Sequence, residues 1–186
     1  MLETEGRLLP GIARTAIAAA LALPAERPSV PEALLRHGAS FVTLHRQGRL
    51  RGCIGSLAAR RPLVEDVRDN ALSAAFHDFR FPPLRVEEFD DTDISVSVLG
   101  APEAMKVASE ADAIRQLVPG IDGLILDFQG NRGTFLPQVW RQLPDAGDFL
   151  AQLKRKAGLP PDFWHPAIRL SRYHVQEYAE LDHAHG

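Results

Sequence analysis

The apolar positions of the chain change period several times, and each change marks an element. Over residues 10–23, Ile12, Ala16, Ala19, Ala20 and Leu23 recur at helical spacing with a proline in the first turn, which predicts an amphipathic helix. Pro24, Pro28 and Pro31 then impose a loop. Residues 39–45 form an apolar run containing β-branched Val42 and Thr43. After Gly48 the chain returns through residues 49–56, so a hairpin turning at Gly48 is expected. A second helix opens at Pro62, with Val64, Val67, Ala71, Ala74 and Ala75 on one face and Glu65, Asp66, Arg68 and Asp69 on the other.

The second half follows the same logic. In residues 93–99, Ile94, Val96 and Val98 alternate with Ser95, Ser97 and Leu99, the signal of a strand. Ser109 caps a helix with Glu110 and Asp112 in its first turn, and Pro119-Gly120 ends it. Residues 124–128 and 134–136 read as a second hairpin around the glycine-rich turn 129–133, and Pro137 stops it, leaving Gln138 at a strand terminus. Asp145 or Asp148 caps a further helix through Phe149, Leu150, Leu153 and Ala157, closed by Gly158. The basic triplet Lys154, Arg155 and Lys156 complements the dipole of its last turn. Residues 167–178 read as one long strand. Two hairpins interleaved with about four helices and no internal repeat predict an α+β chain, not an alternating parallel α/β fold.

Composition narrows the class without changing the fold. The 186 residues fit one domain, or one domain with a small subdomain. A net charge of -3 lacks the broad basic footprint of a nucleic-acid binder. No acid falls between Glu32 and Glu65, whereas Arg36, Arg46, Arg49, Arg51, Arg60 and Arg61 do. Glu87, Glu88, Asp90, Asp91 and Asp93 then crowd together, and both runs read as solvated faces. One cysteine excludes an internal disulfide framework. With no basic n-region and no apolar run near the roughly 20 residues of a membrane span, a cytoplasmic protein without a membrane segment is expected.

The candidate chemistry centres on Leu50-Arg51-Gly52-Cys53-Ile54-Gly55-Ser56. In an extended ribbon Arg51, Cys53 and Gly55 share one face, which puts a fixed cation beside the thiol. Gly52 and Gly55 leave the backbone bare for a ligand, or mark a bend in which Cys53 is a small buried hydrophobe. Downstream, Phe76-His77-Asp78-Phe79-Arg80-Phe81-Pro82-Pro83 packs titratable groups among three aromatics, which read as core. On one reading Cys53 is a nucleophile, His77 its base and Asp78 the orienter. On the other, Arg51, Gly52, Gly55, Arg80 and Gln138 bind a small anion or an acidic partner segment. No metal or cofactor is expected: the histidines are scattered, and the terminal Asp182-His183-Ala184-His185 is only a weak metal pair.

These residues also carry a resemblance. The cysteine signature, Phe41-Val42-Thr43-Leu44, Asp78-Phe79-Arg80-Phe81-Pro82, Ser95-Val96-Ser97-Val98-Leu99, Asp122-Gly123-Leu124, Phe135-Leu136-Pro137-Gln138-Val139 and Lys156-Ala157-Gly158-Leu159 resemble the AMMECR family. The match runs in family order from about residue 6 to residue 178. The resemblance implies a mixed, largely antiparallel sheet with flanking helices and a smaller subdomain, and a cleft near the cysteine. It supplies no reaction. The short form resembles that of the AmmeMemoRadiSam system, which implies functional association with a Memo-like protein and a radical SAM protein; because the thiol lacks a convincing base, a binding or adaptor module is the reading preferred. A cysteine-dependent enzyme or modification factor is the alternative.

Overall fold

The structure, a computed structural model, describes residues 3–180; the terminal Asp-His pair lies outside them. The first elements are the helices α1 (Glu3–Gly6) and α2 (Leu9–Ala20), with Pro10 in the first turn of α2. A 3-10 turn, Glu32–Leu35, leads into β1 (His37–Arg46), β2 (Arg49–Gly55) and the short β3 (Arg61–Pro62). Next come α3 (Leu63–Phe76), α4 (Val86–Phe89) and β4 (Thr92–Leu99). The second half holds β5 (Glu103–Ala104), α5 (Glu110–Gln116), β6 (Gly123–Phe128), β7 (Asn131–Phe135), the 3-10 turn Pro137–Arg141, α6 (Ala146–Lys156), β8 (Arg169–Tyr173) and β9 (Val175–Ala179).

The chain divides into two compact units, one running to Leu99 and resuming at Gln176, the other spanning Gly100–Val175. In the first, the strand order is β2-β1-β4-β9, with β3 paired to the start of β1. The inward residues Val42, Leu44, Ile94 and Val96 meet Leu9, Ile12 and Ile17 of α2 and Val64, Val67, Ala71 and Ala74 of α3, all of them buried. In the second, β5-β8-β6-β7 form an antiparallel sheet. Its inward Leu124, Leu126 and Leu170 pack with Phe149, Leu150 and Leu153 of α6 and with Trp140, whose ring stacks on Phe149 at 3.8 Å.

Both hairpins turn on Gln-Gly. Gln47 and Gly48 have φ of 51° and 72°, and Gln129 and Gly130 have 46° and 87°, so each turn has two positive-φ residues, as a two-residue I′ connection requires. The second turn is therefore shorter than the expected 129–133, and Asn131 already begins β7. The single strand expected over 167–178 is two strands in different sheets, separated at His174. Tyr173 and Val175 alternate around His174 as they would within one strand, so the local pattern does not mark the break. Both helix caps predicted from sequence are present: Ser109 accepts from the Asp112 N–H and Asp145 from the Asp148 N–H.

Candidate functional site

The site grows from the pairing of β1 with β2. Phe41 through Leu44 pair with Gly55 through Gly52, but His45 pairs with Leu50, so Arg51 is an extra residue at a bulge. That bulge interrupts the simple alternation expected for the ribbon. Gly52 lies against α3: a Cβ there would be 2.2 Å from the Ala74 carbonyl oxygen. A Cβ on Gly55 would be 2.2 Å from the Phe41 ring. The space left by the two glycines is thus taken by a helix and an aromatic ring and is not open to a ligand, which corrects the bare-backbone reading.

Cys53 is held through its backbone. Its N–H donates to Asp78 Oδ2 at 3.0 Å, and its carbonyl accepts from Arg80 Nη2 at 3.2 Å. Asp78 and Arg80 are themselves paired, Nε to Oδ1 at 2.9 Å and Nη2 to Oδ2 at 2.7 Å, and the Arg80 N–H adds a bond of 3.2 Å to Oδ1. The Asp78 carboxylate is buried. Hydrogen bonds from Arg80 hold its pKa well below the usual carboxylate range against the opposing effect of burial, and the Cys53 N–H reinforces them. The thiol itself is half-buried, with Sγ 3.3 Å from the hydroxyl of Thr43 on the paired strand.

Arg51 turns to a different partner. Its Nε and Nη2 donate to the two carboxylate oxygens of Glu88 at 3.1 and 3.0 Å, a bidentate pair in which both residues are buried. Glu88 also accepts the Arg85 N–H at 3.0 Å and meets Arg46 at 3.4 Å. Its pKa falls to about 2, first through Arg51, then through the Arg85 N–H, with burial opposing. The acidic run is therefore not a uniformly solvated face, since Glu88 is 7% exposed. The cation that meets Cys53 is Arg80, through the backbone carbonyl. The Phe81 ring lies near both guanidiniums, 5.5 Å from Arg80 and 5.9 Å from Arg51.

Two other predicted residues, His77 and Gln138, are exposed. His77 sits exposed at the C-cap of α3; it makes no hydrogen bond to Asp78 or Cys53, and the Asp78 carboxylate is occupied by Arg80 and Cys53. Gln138 is exposed on the 3-10 turn of the second unit. Phe79 is not core: it is 95% exposed, beside the fixed Asp78 and Arg80.

Sequence reasoning missed Thr43 and Glu88, and also a buried hub at Asp66. Asp66 accepts from the Ser40 N–H at 2.8 Å, the Ser40 and Ser56 hydroxyls at 2.7 Å each, and Arg61 and Asn70 at 2.9 Å each. Asp66 and Asn70, four residues apart on α3, were the available signal. Among the described residues, no group of three or more His, Cys, Asp or Glu side chains is placed to hold a metal ion, and no helix is long and apolar enough to cross a membrane.

Helix-backed antiparallel sheets with a clamped, glycine-flanked cysteine ribbon define an α+β protein of AMMECR type. The profile of the AMMECR1 family matches residues 10–178, and the chain belongs to that family. It is 43% identical to a protein of Methanothermobacter thermautotrophicus, over 95% of this chain and 94% of that one. A Thermotoga maritima protein is 38% identical, over 81% of this chain and 83% of that one. The crystal structure of the uncharacterised protein PH0010 from Pyrococcus horikoshii superposes with a TM-score of 0.80 at 33% identity, covering 96% of this chain and 93% of that one.

Proposed function

We propose that the protein is a binding module whose contact surface is the Asp78–Arg80 loop on the cysteine ribbon. The observation that carries this reading is Phe79, a large apolar side chain 95% exposed between two residues fixed to the Cys53 backbone. An apolar side chain on a flexible loop loses entropy on binding, whereas one on a pinned loop is already ordered. The adjacent Arg80 guanidinium, 45% exposed, supplies a cation for a carboxylate on the rim of the partner's pocket. The partners this surface serves are a Memo-like protein and a radical SAM protein, a pairing supported by the family resemblance.

The test immobilises the full chain and measures binding of the Memo-like protein to the parent, Phe79→Ala and Cys53→Ser. Phe79→Ala should weaken binding by about 2 kcal/mol or more, while changing fold stability by less than about 0.5 kcal/mol. Cys53→Ser should stay within about threefold of the parent, because both clamp bonds are made by backbone atoms. Unchanged binding by Phe79→Ala would remove the docking face. Binding abolished by Cys53→Ser alone would favour a thiol-dependent function instead.

A further inference from the structure

The second unit carries a cavity of about 520 Å³ that the cysteine site does not use. That volume lies within the roughly 300–1,000 Å³ of small-molecule sites. It is lined in part by residues of β6 and β8. Asp127 in β6 is paired directly across from Arg169 in β8, and Ser171 lies two residues further along β8 on the same face. The intervening Leu170 turns into the buried core. The segment following β5 contributes Lys106, and the loop before β8 contributes Trp164, which is half-buried and packed against the second core.

The chemistry of this lining is specific. Lys106 and Arg169 are exposed cations that make no ion pair among the described residues. Asp127, the carboxylate in the lining, has among the described residues only Arg132 in ion-pair range, at 3.9 Å. The Trp164 indole N–H and the Ser171 hydroxyl likewise make no hydrogen bond among the described residues. An aromatic side chain, two exposed cations and one acceptor carboxylate thus line one space. We infer that this cavity is a binding site for a mononucleotide: the base stacks on Trp164, the phosphate meets Lys106 and Arg169, and Asp127 accepts from the ribose hydroxyls. This inference concerns the second unit and stands independently of the docking surface proposed above.

The test titrates the full chain with adenosine monophosphate, adenosine and ribose 5-phosphate, read by calorimetry and by tryptophan fluorescence. The other tryptophan, Trp140, is buried against Phe149, so a fluorescence change on binding should vanish in Trp164→Leu. Adenosine monophosphate should bind saturably, with adenosine and ribose 5-phosphate each weaker by about tenfold or more. The double variant Lys106→Gln/Arg169→Gln alters two exposed side chains and leaves the core intact. It should weaken the nucleotide by about tenfold or more and leave adenosine unchanged. Lack of saturable binding up to about 10 mM, or an unchanged affinity in the double variant, overturns the assignment.

Discussion

Replacing Gly52 by alanine tests the architecture of the ribbon most directly. The added Cβ would lie 2.2 Å from the Ala74 carbonyl oxygen and 3.1 Å from its carbon, both backbone atoms that no rotamer change can move. Restoring an ordinary contact requires β2 and α3 to separate by about 1 Å. A gap of that size forfeits a quarter to a half of the dispersion between facing atoms. The affected surfaces include Val67, Ala71 and Ala74 of α3, all fully or almost fully buried. The expected cost is about 3 kcal/mol, at the upper end of overpacking penalties.

Two other glycines supply the scale. Gly55→Ala meets the Phe41 ring, a half-buried side chain that can turn aside, so about 1–2 kcal/mol is expected. Gly48→Ala meets nothing within 4 Å and carries only the strain of φ +72°, about 1 kcal/mol. Urea unfolding followed by circular dichroism, with peptide-resolved hydrogen exchange over β1, β2 and α3, measures all three. A Gly52→Ala variant no less stable than Gly48→Ala would refute the close approach of ribbon and helix.

Two further outcomes follow from the ion pairs. Asp78→Ala leaves the Cys53 N–H without its acceptor and Arg80 without its counter-ion. Because Arg80 can rehydrate, the loss should be about 2–3 kcal/mol in urea unfolding, with faster amide exchange at Cys53; unchanged exchange there would contradict the clamp. For Glu88 the folded pKa is depressed, from 4.5 to about 2, so its contribution is complete above the unfolded value and is lost as pH falls through that window. It amounts to about 3 kcal/mol at most, and Glu88→Gln should flatten this part of the stability profile. Parent and variant curves that run parallel between those values would show that the Arg51 pair adds no such stability.

What the sequence made legible is local. Helical and alternating periods locate α2, α3, α6, β1, β2 and β4, because each buries one face against a single core and its pattern records that face. Caps at Ser109 and Asp145 are equally local, resting on side chains that reach three residues along the chain. The exchange of sheets at His174 is not, since Tyr173 and Val175 flank it with the spacing of one continuous strand while the strands they pair with differ.

The site shows the same limit more sharply. Arg51, Cys53, Asp78 and Arg80 were all identifiable as chemistry-bearing residues, yet their partners lie far along the chain: Glu88 is 37 residues from Arg51, and Asp78 is 25 from Cys53. Simple alternation put Arg51 beside the thiol, but the bulge opposite His45 and the pull of Glu88 engage it elsewhere, and Arg80 takes its place from another loop. This exchange of cations changes the functional reading. Arg80 serves the backbone of Cys53, so the polar groups of the signature mainly fix a loop. The part of the loop left unsatisfied is the apolar ring of Phe79, and an unsatisfied apolar ring on a fixed loop is better suited to a partner surface than to bond-making chemistry.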